Sequence, residues 1–231
     1  MGSKRLIISE EQYNYLMNEM AYPASFNMEV FKILPTFAAR IRYCENRLER
    51  ISAYGSSRVV YKIDDEKVLK LAKNNKGVAQ NKCEASDYYK KSIECFAKIY
   101  DYDDNFLRVE MQLAKKVKPS DFNRIVGVSF KTVCDFILYC YNSYCRNGKQ
   151  RPISSESKKI FESEWFQEQL DNYSLFSYLS EYLGNYQPEM IGDLMRLSSW
   201  GIVTEDGEEK LVIIDFGLDD DVWNNYYAKR R

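Results

Sequence analysis

A lysine stands inside an apolar run, Val68-Leu69-Lys70-Leu71-Ala72, where an ordinary surface lysine has little reason to be. Two readings are open: an edge-strand lysine facing water, or an interior lysine held for a chemical purpose. Its surroundings are strand-like. Arg50 to Tyr54, Arg58 to Ile63 and Lys67 to Ala72 are short β-rich runs, joined by Gly55-Ser56-Ser57 and Asp64-Asp65-Glu66, and together they predict a three-strand antiparallel meander. A polar helix is expected over 77–94, then strands over 97–102 and 106–114.

Ahead of the meander, residues 5–8 read as a short strand. Ser9-Glu10-Glu11-Gln12 has the spacing of a capping box opening a helix to about Met20. Two further helices are expected over 25–34 and 36–48, separated by Pro35. After the strands, Pro119 opens a short helix and Ser129 caps a longer one to Tyr144. Residues 146–155 form the best linker, and amphipathic helices follow over 156–170 and 174–183. Phe161, Trp165, Phe166, Leu175, Tyr178, Leu179 and Tyr182 on those helices are assigned to packing. The last stretch reads as a loop at 192–196, a strand at 200–203, an acidic turn at 205–209 and a strand over 210–214. The expected class is α+β: an N-terminal helical appendage (1–48), a small antiparallel-sheet unit (49–114) and a mainly helical unit (115–231).

Composition narrows the chemistry. The chain has no histidine, which removes Ser-His-Asp triads, Cys-His dyads and zinc sites with imidazole ligands. Its formal charge of −1 gives no electrostatic reason to bind nucleic acid, and clusters such as Lys115, Lys116 and Lys118 read as solvated loop ends. No apolar run reaches the ~18 residues of a membrane span, and the six cysteines contain no C-x-x-C pair. A cytoplasmic protein with free thiols is expected.

Any catalysis must then rest on carboxylates, lysine, tyrosine, cysteine or a bound ion. Transfer of phosphate from ATP needs a lysine on the phosphates, a carboxylate to hold that lysine, and carboxylates for Mg²⁺. Glu84 follows Lys70 by 14 positions (84 minus 70) on the expected helix; Asp87 and Glu94 share that helix, so the choice depends on register. Asp215 ends the apolar run Leu211-Val212-Ile213-Ile214 and precedes Phe216-Gly217, which suits either a metal ligand or a strand-terminating turn. Asp193 lies 22 positions earlier (215 minus 193), where a loop and a strand return it beside Asp215 as a base or orienting group.

Taken in order, Gly55-Ser56-Ser57-Arg58-Val59-Val60-Tyr61-Lys62, Val68-Leu69-Lys70, Gly192-Asp193-Leu194 and Val212-Ile213-Ile214-Asp215-Phe216-Gly217 resemble the protein-kinase-like superfamily, in particular small kinase-like proteins of tailed phages and their bacterial hosts. The resemblance implies a bilobal fold with ATP and Mg²⁺ between the lobes. It makes Lys70, Glu84 and Asp193 catalytic and places Gly55, Ser56, Ser57, Lys70, Glu110 and Met111 against the nucleotide. Asp215 and Ser199 would be on metal.

Three departures set the chain apart from that pattern. Ala53 and Arg58 replace loop glycines, so backbone approach to phosphates is less free. Ser198 and Ser199 stand where a metal-binding Asn is expected, and 14 residues (231 minus 217) follow Gly217, where a peptide-binding platform would need many more. The expected function is a kinase-like ATP/Mg²⁺-binding protein, either a weak phosphotransferase or a pseudokinase. The alternative is a structural or interaction protein, for example one carried on a phage particle, whose N-terminal helices and tyrosine-rich surface hold a protein partner.

Overall fold

The fold is described from a computed structural model for residues 22–52, 55–86, 93–145, 150–172, 174–188 and 190–228. The strand expected at 5–8, the helix at 9–20, and Ala53, Tyr54, Asp87 and part of the 146–155 linker lie outside these residues.

Short runs rich in Val, Leu and Tyr form the first sheet. Its strands are β1 (Glu49–Arg50), β2 (Arg58–Lys62), β3 (Lys67–Ala72), β4 (Ile99–Tyr102) and β5 (Arg108–Gln112), in the order β1-β2-β3-β5-β4, with every neighbouring pair antiparallel. The meander is present, and β3 is an interior strand between β2 and β5, so Lys70 is not an edge lysine. Register aligns Val60 with Lys70 and Lys70 with Val109, while Tyr61, Leu69 and Glu110 align one step along. Because successive side chains alternate faces, Arg58, Val60, Val68, Lys70 and Met111 share one face of the sheet. Leu69, Leu71, Arg108 and Glu110 share the other.

That second face is covered by the segment before the sheet. Helices α1 (Met28–Ile33) and α2 (Phe37–Glu45) are capped by the side chains of Asn27 and Thr36, which shortens them relative to the expected 25–34 and 36–48. Tyr22, Phe26, Phe31, Cys44 and Leu48 pack there against Val59, Tyr61, Leu69 and Leu71. Helix α3 (Asn75–Ala85) follows β3. It starts earlier than expected because the Asn74 side chain accepts from the Gly77 amide at 3.1 Å, and Glu94 lies in a turn rather than on this helix.

A second antiparallel sheet, β6-β7-β8, contains Lys115–Lys116, Trp200–Glu205 and Glu208–Ile213. Lys115 and Lys116, expected in a loop, pair with Ile202 and Gly201, although both lysines remain exposed. Asp206 and Gly207, with φ of 52° and 84°, make the two-residue turn between β7 and β8, a left-handed pair whose twist matches flanking strands. The sheets are linked where the Ala97 amide donates to the Ile213 carbonyl at 2.9 Å and the Ile213 amide donates to Cys95 at 2.7 Å.

Helices α4 (Pro119–Val126), α5 (Phe130–Tyr144), α6 (Ser155–Phe161), α7 (Glu164–Asp171), α8 (Leu175–Tyr186) and α9 (Asp220–Tyr226) complete the described chain. The single helix expected over 156–170 divides at Glu162-Ser163, because the Ser163 hydroxyl accepts from the Phe166 amide and caps α7. Phe136 on α5 meets Phe161, Phe166 and Phe176 with ring centroids 5.3–5.6 Å apart, the centre of the larger core. Trp165, assigned to packing, is instead 39% exposed. No described helix is long and apolar enough to cross a membrane.

Glu205, at the end of β7, ties the sheets electrostatically. It takes Lys98 at 2.6 Å, Gln112 at 3.2 Å and Lys210 at 3.3 Å, and the Lys98 hydrogen bond leads in holding its carboxyl down at about 2. A carboxyl depressed in the fold stabilises above its ordinary pKa and loses that contribution as pH falls through the folded value. Glu205→Gln should therefore melt below the native chain near neutral pH, and the two should converge as pH falls from about 4.5 toward about 2. Solvent screening keeps the neutral-pH difference to about 1 kcal/mol or less. Urea melts across that range test it; a difference independent of pH would remove the ionic explanation.

Candidate functional site

The face of the first sheet that carries Lys70 also carries an ion cluster in which Lys70 and Glu84 are buried, the Arg58 side chain nearly so, and Asp215 is half-exposed. Lys70 is 6% exposed, and its ammonium donates to both Glu84 oxygens at 3.0 Å and to the Ile214 carbonyl at 2.5 Å. Glu84 is the carboxylate that the register of α3 selects, and it is fully buried. Its second cation is Arg58, whose Nη1 lies 2.7 Å from Oε2. Arg58 Nη2 reaches Asp215 Oδ1 at 2.6 Å, and the Phe216 amide donates to Glu84 at 3.3 Å. Lys70, Glu84 and Asp215, separated by up to 145 positions (215 minus 70), are thus brought together, with Arg58 as the bridge.

Charge balance explains the protonation states. Burial pulls the Lys70 ammonium below the usual lysine range, outweighing Glu84, which opposes the shift. Desolvation acts against the Asp215 charge, but Arg58 and Lys70 outweigh it and hold the carboxyl below its ordinary value. Arg58 is desolvated too, yet Glu84 and Asp215 push its pKa up, so the guanidinium stays charged.

Two close approaches hold the surrounding chain in place. A Cβ on Gly77 would lie 2.2 Å from the Ser57 carbonyl, and one on Gly217 would lie 2.8 Å from the Gln80 carbonyl, so only glycine lets α3 meet both segments. The Gly55-Ser56-Ser57 loop is bound to the start of α3. Lys73 donates to Gly55 O at 2.8 Å, Asn74 to Ser56 O at 3.0 Å, Lys76 to Ser56 Oγ at 2.8 Å and Ser57 Oγ to Gln80 at 2.5 Å.

Asp193 lies on the 3₁₀ turn Asp193–Met195 and pairs with Arg196 at 2.8 Å. Burial and the nearby Asp215 raise its pKa against Arg196 and Arg58, so these four charges act on one another. Trp200 anchors that loop by donating from Nε1 to the Leu194 carbonyl at 2.8 Å. Ser199 is buried, and its carbonyl accepts from the Ile214 amide at 2.8 Å, one residue before Asp215. The other expected nucleotide residues do not join the cluster through their side chains. Met111 is in the larger core, and Glu110 faces the opposite side of the sheet, holding Arg108 at 2.7 Å and the Tyr22 hydroxyl at 2.7 Å.

Sequence reasoning treated Arg58 only as a lost glycine and passed over Arg196 and Tyr227. Tyr227 accepts from Gln80 at 3.3 Å, and its phenol is shifted up by burial first, then by Asp193 and Asp215, which places it at the border of the cluster.

As arranged, these side chains do not fit a magnesium ion. Mg²⁺ demands near-octahedral oxygen ligands, whereas one Asp215 oxygen holds a guanidinium and Asp193 holds Arg196. Among the described residues, no three acidic, cysteine or histidine side chains are grouped to hold a metal. What the cluster offers is a balanced set of charges, the cations Lys70, Arg58 and Arg196 on three separate segments against the carboxylates Glu84, Asp193 and Asp215.

No protein-family model matches the chain, and comparison with curated proteins and with solved structures likewise gives no match.

Proposed function

We propose that this chain is a kinase-like protein that binds a nucleoside polyphosphate, ATP in the simplest case, and works as a pseudokinase rather than as a phosphotransferase. The observation that carries the reading is the pairing of Lys70, on an interior strand, with Glu84 on α3, and Asp215 just past a strand end joined to the same carboxylate through Arg58. A buried lysine held from behind by a helix carboxylate is what neutralisation of a triphosphate requires. Asp193, beside Asp215, supplies the remaining carboxylate of the resemblance.

Turnover is disfavoured by the same geometry. Arg58 sits on the carboxylate that would otherwise receive a metal ion, Ser198 and Ser199 replace the expected amide, and Asp193 is paired with Arg196. The protein would then act through the shape of its nucleotide-bound state.

Titration of the native chain with ATP, read calorimetrically, should be saturable, and Lys70→Met should weaken it by at least about tenfold. Label from γ-labelled ATP should not be transferred. Absence of saturable binding in the native chain would sink the nucleotide reading, and sustained transfer would make the protein an enzyme.

A second reading, an interaction protein that uses the same fold as scaffold, is favoured by one feature. Val30 and Ile33 on α1 are 41% and 79% exposed, an apolar pair turned to solvent. It would gain ground only if ATP fails to bind.

A further inference from the structure

We infer that Arg58 takes over the charge-neutralising task of a metal ion, so that the site binds its polyphosphate without a divalent cation. This inference rests on the nucleotide reading above and names the form of the ligand: the metal-free nucleoside polyphosphate.

The position of Arg58 carries the inference. It enters from β2, two residues before Val60, and the alternation of the strand turns it to the Lys70 face. Its side chain is 9% exposed and reaches two carboxylates from different segments, Glu84 at 2.7 Å and Asp215 at 2.6 Å. Asn81 accepts a further, long bond at 3.5 Å. A guanidinium has five N–H donors in a rigid fork, so bridging these groups leaves donors for phosphate oxygens.

A divalent ion would have to displace this group. Around it stand the cations Lys70, Arg58 and Arg196 and the carboxylates Glu84, Asp193 and Asp215, which balance formally without any added ion. Mg²⁺ dehydrates reluctantly and needs oxygen ligands that are not already committed to a cation. Arg58 cannot lose its proton to make way, since both carboxylates raise its pKa. The ligand therefore meets a fixed cation in place of a mobile one.

The test is titration of the full chain with ATP in EDTA and again in excess magnesium. Affinity in EDTA should equal or exceed that with magnesium. Asp215→Asn, which frees Arg58 from one partner while removing the metal-type carboxylate, should tighten metal-free binding. Arg58→Gln should weaken binding in EDTA by at least about tenfold, with a melt confirming that it remains folded. If that variant does not fold, Asp215→Asn alone decides. Binding that needs magnesium, or that Asp215→Asn abolishes, overturns the inference and leaves the nucleotide reading standing. No ATP binding in either buffer overturns both.

Discussion

Glu84→Ala should destabilise the chain by about 3–5 kcal/mol, because truncating one partner of a buried ionic network leaves the others uncompensated. Glu84 is fully buried and accepts from the Lys70 ammonium, the Arg58 guanidinium and the Phe216 amide. Its removal leaves two cations facing each other in a desolvated space, and burial already works against the Lys70 charge. Glu84→Gln keeps the shape and one acceptor, so it should fall between the native chain and the alanine variant. Urea unfolding measures both. A Glu84→Ala loss of under about 1 kcal/mol, the range of exposed pairs, would mean that the cluster is solvated and the site wrongly drawn.

Trp200→Ala should be comparably damaging, about 3–5 kcal/mol for truncating a large buried aromatic. Trp200 is 2% exposed, meets Phe122 edge-on with ring centroids 5.6 Å apart, and fixes the Asp193 loop through its bond to the Leu194 carbonyl. Trp200→Phe retains most of the packing and loses the hydrogen bond, so it should recover all but about 1–3 kcal/mol, the penalty of an unsatisfied buried carbonyl. Equal losses in the two variants would mean that the bond to Leu194, not ring packing, holds this corner.

Much of the fold was legible because local signals agreed with tertiary ones. Short β-rich and apolar runs between turn residues marked β2, β3, β7 and β8, and Ser129 marked the start of α5. Failures came where a side-chain hydrogen bond settled a boundary: Ser163 divided one expected helix in two, and Asn74 moved the start of α3. The two-residue strand at Lys115–Lys116 had no pattern to reveal it, since its pairing with β7 comes from residues far along the chain.

In the site, Lys70, Asp193 and Asp215 could be singled out from order and setting, whereas the choice of Glu84 depended on the register of α3. Arg58 could not be assigned without a register. Once Asp64-Asp65-Glu66 is taken as the turn, Val60 opposes Lys70 and Arg58 falls on the same face, so the strand period held the signal. Glu110 shows the same rule in reverse: it opposes Leu69 and so faces away from Lys70. Charge alone was not informative there, because carboxylates on both faces of one sheet look alike in sequence.

Hydrogen exchange of the native chain with and without ATP tests the central claim most directly, because it reports where the ligand acts. Slowed exchange should be confined to residues 57–60, the 69–71 stretch of β3, the last turn of α3 and 214–217, the segments that converge on Glu84. Slowing there that disappears in Lys70→Met is the predicted result. Saturable ATP binding with unchanged exchange in all four segments, or with slowing only beside the Tyr22–Glu110 pair on the opposite face, would contradict the account.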